Sequence, residues 1–211
     1  SFNAQGLNLT LRGNMVASGT FVPSGNLTTF NVAGTNSLSG TGTINFADLA
    51  VQGGGVLNVL NNLSISDDLT VGSGTFADNG NTISLYQNAY FGTAPATTGT
   101  HTSTPGGQGI VFVGAAQQQL FALRTDGAAT LGTITINNAN GVIVPDLADK
   151  FTIATELRLQ SGVLDIGGSL LTIGSSAQIE EVSLFSVTNM IQTNSSFTDN
   201  GVAKVFPAGT T

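Results

Sequence analysis

The chain has no cysteine, no tryptophan and a single histidine in 211 residues. Without cysteine there is no disulfide framework and no thiolate nucleophile. Without a second histidine, zinc sites of the usual composition are excluded. Charge is scarce too. Only 8% of residues are charged, against about 25% in an ordinary globular domain. Five scattered Lys and Arg in a chain of net charge −7 cannot neutralise a run of phosphates, which excludes nucleic acid as a partner. No apolar run approaches the ~20 residues that span a bilayer as a helix, so membrane insertion is not expected. The sequence opens on Ser1 with no signal peptide, and reads as a piece of a longer chain or a processed product. GxSxG, GxGxxG and GxxxxGK[ST] are all missing.

What fills the chain instead is Gly, Ser, Thr and Asn around short apolar-polar-apolar triplets. Leu63-Ser64-Ile65, Leu69-Thr70-Val71, Ile83-Ser84-Leu85, Ile134-Thr135-Ile136, Phe151-Thr152-Ile153 and Leu171-Thr172-Ile173 alternate with period two, the mark of half-buried strands. Turn residues separate them, as in Gly53–Gly55, Asn79-Gly80-Asn81 and Gly167-Gly168. No apolar stripe has helical spacing. One phase of the alternation predicts an inward set: Phe30, Leu49, Leu63, Leu69, Phe76, Leu85, Phe112, Ile134, Phe151, Leu157, Leu164 and Ile173.

The text also repeats. "SGTFADNGNTISL" (73–85) and "SGVLDIGGSLLTI" (161–173) align at a constant offset, as do Leu63–Ile65 with Phe151–Ile153 and Leu69–Val71 with Leu157–Leu159. Internal repetition of short strands at close spacing predicts an all-β fold, a parallel β-solenoid or β-helix with a looped-out segment, and a β-sandwich as the alternative. The expected organisation is leading coils at 1–26, a first copy at 27–91, a second at 109–174, and trailing strands at 175–211. The stretch 92–108, rich in Gly, Pro and Thr, reads as a loop or linker.

Candidate chemistry is thin. His101 falls in that expected loop, where a solvated side chain is the ordinary reading. A polysaccharide-degrading solenoid would need two carboxyls about 5–10 Å apart, and the acids available are Asp67, Asp68, Asp78, Asp165, Glu180 and Glu181, with Glu156 aligned to Asp68. Acids also simply solvate turns. The basic residues Arg12, Arg124, Lys150, Arg158 and Lys204 form no cluster in sequence. Calcium has weak candidates in Asp67, Asp68, Asp146 and Asp149, and no cofactor is implied. N-x-[ST] occurs at Asn8, Asn26, Asn62 and Asn194, as chance allows in so Asn-, Ser- and Thr-rich a chain. The absence of Trp, with only two Tyr, disfavours a glycan-stacking platform, and the Phe residues are expected in the core.

The stretch "GTFVPSGNLTTFNVAGTNSLSGTGTINFADLAV" (19–51) resembles a recurrent module of very large surface proteins of Bacteroidota, which include gliding-motility adhesins and related cargo of the type 9 secretion system. "SGVLDIGGSLLTIG" resembles the strand repeats of the same proteins, and "GVAKVFPAGTT" (201–211) a segment that leads into a following module. The likeness covers most of the chain and lies in the order of its motifs. It implies an extracellular, cell-surface location and a non-catalytic structural or adhesive role, that of a rigid solenoid spacer with a polar outer face. The implied partners are neighbouring modules of the same chain, surface glycans, or other surface and secretion proteins. A polysaccharide-degrading β-helix enzyme and a glycan-binding module are the alternatives.

Overall fold

In a computed structural model of the chain, residues 1–92, 99–122, 129–145, 149–194 and 199–209 are described. They contain no helix, and hence none long and apolar enough to cross a membrane. Every paired strand runs parallel to its neighbours. The chain winds through three faces in turn and then rises to the next rung. The second face holds nine strands, from Leu9–Leu11 at the bottom to Ile191–Gln192 at the top. This is the expected β-solenoid, and a sandwich of antiparallel sheets is excluded.

Each face is built from the period-two triplets. On the first face, Phe46, Ile65, Leu85, Phe112, Ile136 and Leu159 lie directly over one another in register. On the second face, Leu49, Leu69, Ala89 and Leu120 do the same. The third face carries Leu57, Phe76 and then His101. The twelve residues assigned inward from sequence are all buried. Each buried Leu, Ile or Phe contributes about 1.5–3 kcal/mol of hydrophobic stabilisation. The ladders merge into one continuous core along the axis.

Two strands are longer than the sequence suggests. Ala129–Asn137 and Lys150–Ser161 each run from the third face onto the first without a loop between. The register shifts between Leu131 and Thr133, where the first of them turns the corner.

The sequence repeat has a structural meaning that its offset does not reveal. Leu63–Ile65 lies on the first face, whereas Phe151–Ile153 lies on the third. Leu69–Val71 is on the second and Leu157–Leu159 on the first. The order of strands and turns matches, but the second copy is rotated by one face. Gly74 and Gly162 mark the same turn in both, with φ of 86° and 100°. A Cβ on Gly162 would stand 1.8 Å from the Asn138 carbonyl oxygen of the rung below. Only glycine lets the rungs stack there.

The stretch 92–108 is not a loop throughout. Gly99–Thr102 is a strand of the third face, paired with Gly74–Ala77 below and with Thr130 above. Its inward positions are Gly99 and His101, which carry no apolar signal, so alternation of hydrophobic residues could not announce it.

Candidate functional site

His101 is fully buried, which corrects the expectation of a solvated loop side chain. It takes the place of a core residue between Phe76, whose ring centroid lies 6.0 Å away, and Phe91, at 6.3 Å. Its polar atoms are all accounted for. Nδ1 accepts the Gly132 N–H at 3.1 Å. That leaves the proton on Nε2, which donates to Asp78 Oδ2 at 2.7 Å. Asp78 is also fully buried, and its Oδ1 accepts the Gly80 N–H at 2.7 Å. Ser103 Oγ donates to the same Asp78 Oδ2, and accepts the Thr133 N–H at 2.7 Å.

Acid, imidazole and hydroxyl thus meet, but not in the order that nucleophilic catalysis needs. A hydrolytic triad holds the acid on one ring nitrogen and the hydroxyl on the other. Here Asp78 and Ser103 both sit on the Nε2 side, Ser103 at 3.3 Å, while Nδ1 is taken by a backbone amide. The Ser103 proton goes to the carboxylate, and no substrate can reach a ring with no exposed surface. What the cluster does is replace missing backbone bonds. Where the strand Ala129–Asn137 turns its corner, the amides of Gly132 and Thr133 lose their ladder partners, and His101 and Ser103 supply them.

The remaining acids are spent in a related way. Asp48 Oδ1 accepts the Asp68 N–H at 3.1 Å, Asp68 Oδ1 accepts the Asn88 N–H at 2.8 Å, and Asn88 Oδ1 accepts the Gln119 N–H at 2.9 Å. Each side chain holds an amide at the entry to the strand one rung up. Asn8 and Asn62 do the same for Leu27 and Thr82, and Asn26 is buried. Asp165 caps the Gly167 N–H and Glu181 the Phe185 N–H. Asp149 is buried and accepts the Ala122 N–H at 2.8 Å. Asp67 is exposed. Asp146 and Arg124 lie outside the described residues. Among the described residues, no three His, Cys, Asp or Glu side chains gather as a metal site would require.

One pair of carboxylates does converge. Arg158 Nη1 lies 3.0 Å from Glu156 Oε2 and also contacts Glu180 Oε2, one rung higher. The guanidinium stands between the two on the outer side of the first face, where Glu156 also lines a cavity of about 270 Å³ with Pro105, Ala154 and Gln178. Asp78, Asp165 and Glu181 are not brought to it. Two cavities of about 460 Å³ occur elsewhere, one at the N-terminal end beside Phe2, Leu9, Leu11 and Met15, one on the first face beside Asn45, Asn62 and Ser64. Neither is lined by an acid, a base or the histidine.

The aromatic residues divide. Phe21, Phe30, Phe46, Phe76, Phe91, Phe112 and Phe151 are core residues. Phe2, Phe185 and Phe206 are exposed, against the expectation of a core position, and Phe121 faces outward and stacks on Tyr90 of the rung below, with centroids 4.6 Å apart and planes within 6°. Each ring covers one face of the other, and the pair buttresses the sheet. Burial raises the Tyr90 pKa, the Asp68 carboxylate raises it further, and a hydrogen bond to Asn88 opposes them.

Comparison of the chain with protein-family models, curated proteins and solved structures yields no match.

Proposed function

We propose that this chain is a non-catalytic structural or adhesive segment of a large extracellular surface protein, a rigid β-solenoid spacer with a polar outer face. The observation that carries the reading is the use made of the acids. Asp48, Asp68, Asp78, Asp149 and Asp165 each hold a backbone amide, which ties their charge to the stack. Catalysis needs groups of tuned acidity converging in an accessible cleft. A repeated wall needs amides satisfied at every rung, and that is how these side chains are employed. The resemblance of residues 19–51 to modules of Bacteroidota gliding-motility adhesins and type 9 secretion cargo supports placement at the cell surface, next to other modules of the same chain.

The test is incubation of the purified chain with neutral and acidic polysaccharides, following reducing ends and unsaturated products. A spacer gives no turnover, and Asp68→Ala alters only the melting temperature. Turnover that vanishes on substituting Asp68, Asp78, Asp165, Glu180 or Glu181 would replace this reading with that of an enzyme.

A further inference from the structure

Both ends of the stack are open among the described residues. At the bottom, Phe2–Asn3, Leu9–Leu11 and Met15–Ala17 pair only with the strands above them. At the top, Gln178–Glu181, Ile191–Gln192 and Gly201–Lys204 pair only with the strands below. Each end thus presents one unpaired strand edge per face, in the same order and the same sense. Such edges are templates for further pairing.

The two ends match position by position. On the first face one inward column runs from Phe2, Phe21 and Ile44 at the bottom to Ile134, Leu157 and Ile179 at the top. Its end members, Phe2 and Ile179, are exposed. On the third face Met15 lies under Leu38, and Val202, also exposed, lies over Leu171. At the corner between the first and second faces, Leu7 is exposed at the bottom, and Leu184 and Phe185 at the top. At the corner between the second and third faces the two ends carry opposite charges. Arg12, the only charged residue among residues 1–47, stands there at the bottom, and Asp199 at the top.

We infer that the chain stacks end to end on a second copy, the top rung of one meeting the bottom rung of the next. With the winding continued, Phe2 extends the column that ends at Ile179. Leu7 falls at the corner of Leu184 and Phe185, and Arg12 at that of Asp199. Two charges occupy the inward phase at the top, Glu181 over Leu159 and Lys204 over Ile173. Both are turned onto their own rung. Lys204 Nζ donates to the carbonyls of Gly174 at 2.6 Å and Ala177 at 2.8 Å, and Glu181 accepts the Phe185 N–H. A bottom-to-bottom pair would set Arg12 against its own image with no acid among residues 1–47 to oppose it. A top-to-top pair would do the same with Glu180 and Glu181. The contact is heterologous and does not close, so it builds rods. One rung edge is covered per contact, so association is weak and driven by concentration. The inference stands on the two end faces and does not rest on the spacer reading.

The test is sedimentation velocity of the untagged 211-residue chain over a wide range of concentration, with negative-stain images of the samples. The wild type forms rods of single-solenoid width that lengthen with concentration. Phe2→Asp blocks the bottom end and Val202→Lys the top. Each variant alone stays at the mass of one chain. Mixed, they leave one competent junction, the top of Phe2→Asp with the bottom of Val202→Lys, and give dimers that grow no further. Circular dichroism melts confirm that each variant folds, and Ile179→Lys stands in for Val202→Lys if that does not. Wild type that remains monomeric at every concentration overturns the inference. So does Val202→Lys that dimerises alone, which would mean a two-fold bottom-to-bottom contact, or a mixture no heavier than its separate components.

Discussion

His101 Nε2 lies 2.7 Å from Asp78 Oδ2, and neither side chain has any exposed surface. Each residue is the other's main polar partner inside an apolar core. His101→Phe keeps the ring between Phe76 and Phe91 but strands the carboxylate and the Gly132 amide. Leaving one member of a buried pair uncompensated costs about 3–5 kcal/mol. Asp78→Asn, which still accepts from the imidazole, costs less. Chemical denaturation of the two single variants and the double variant measures the coupling. Energies that simply add would show that the contact contributes nothing.

Gly162→Ala is expected to be among the most destabilising single-methyl additions in the chain. The new Cβ meets the Asn138 carbonyl at 1.8 Å, and φ is 100°. Gly54 is the control: its φ is 79° but nothing lies within 4 Å of an added Cβ. Gly54→Ala suffers backbone strain of about 1–2 kcal/mol alone, and Gly162→Ala clearly more. Equal denaturation midpoints for the two variants would contradict the close approach of the rungs.

Tyr90 sets an alkaline limit. Its folded pKa is raised, first by burial and then by Asp68, so folding favours the neutral phenol. The contribution to stability is complete below the ordinary tyrosine value of about 10. It is lost as pH rises through the raised folded value. Ultraviolet titration should show a late phenolate step that Tyr90→Phe removes and that Asp68→Asn moves to lower pH. A step unmoved by Asp68→Asn would contradict the coupling.

Truncation at a rung centre should be costly in the ordinary way of cores. Phe76 is fully buried between Leu57 and His101. Phe76→Ala is expected to cost about 3–5 kcal/mol, read as a lowered denaturation midpoint. An unchanged midpoint would contradict its inward position.

The core was legible because Leu, Ile, Val and Phe mark the inward phase wherever a strand is apolar, as at Leu69–Val71 and Ile83–Leu85. Gly99–Thr102 escaped because its inward residues are Gly and His. The signal present there was the alternation of Thr100 and Thr102 around His101, a β-branched outer phase without an apolar inner one. The rotation of the repeat by one face was hidden for a different reason. All three faces use the same triplet, so an offset in sequence does not say which face a copy occupies. The acids could be found in sequence but the roles of Asp48, Asp68 and Asp149 could not, since each bonds an amide about a rung away, as Asp68 does with Asn88.

The most direct test of a continuous, rigid stack is a distance along it. The chain has no cysteine, so Thr10→Cys and Gln192→Cys accept spin labels uniquely. These positions occupy the first and last of the nine strands on the second face. Eight steps of ~4.8 Å place their backbones about 38 Å apart. Pulsed electron paramagnetic resonance should give one narrow distribution near that separation, broadened only by the label linkers. A broad distribution, or a distance far shorter, would contradict both the single stack and its use as a spacer.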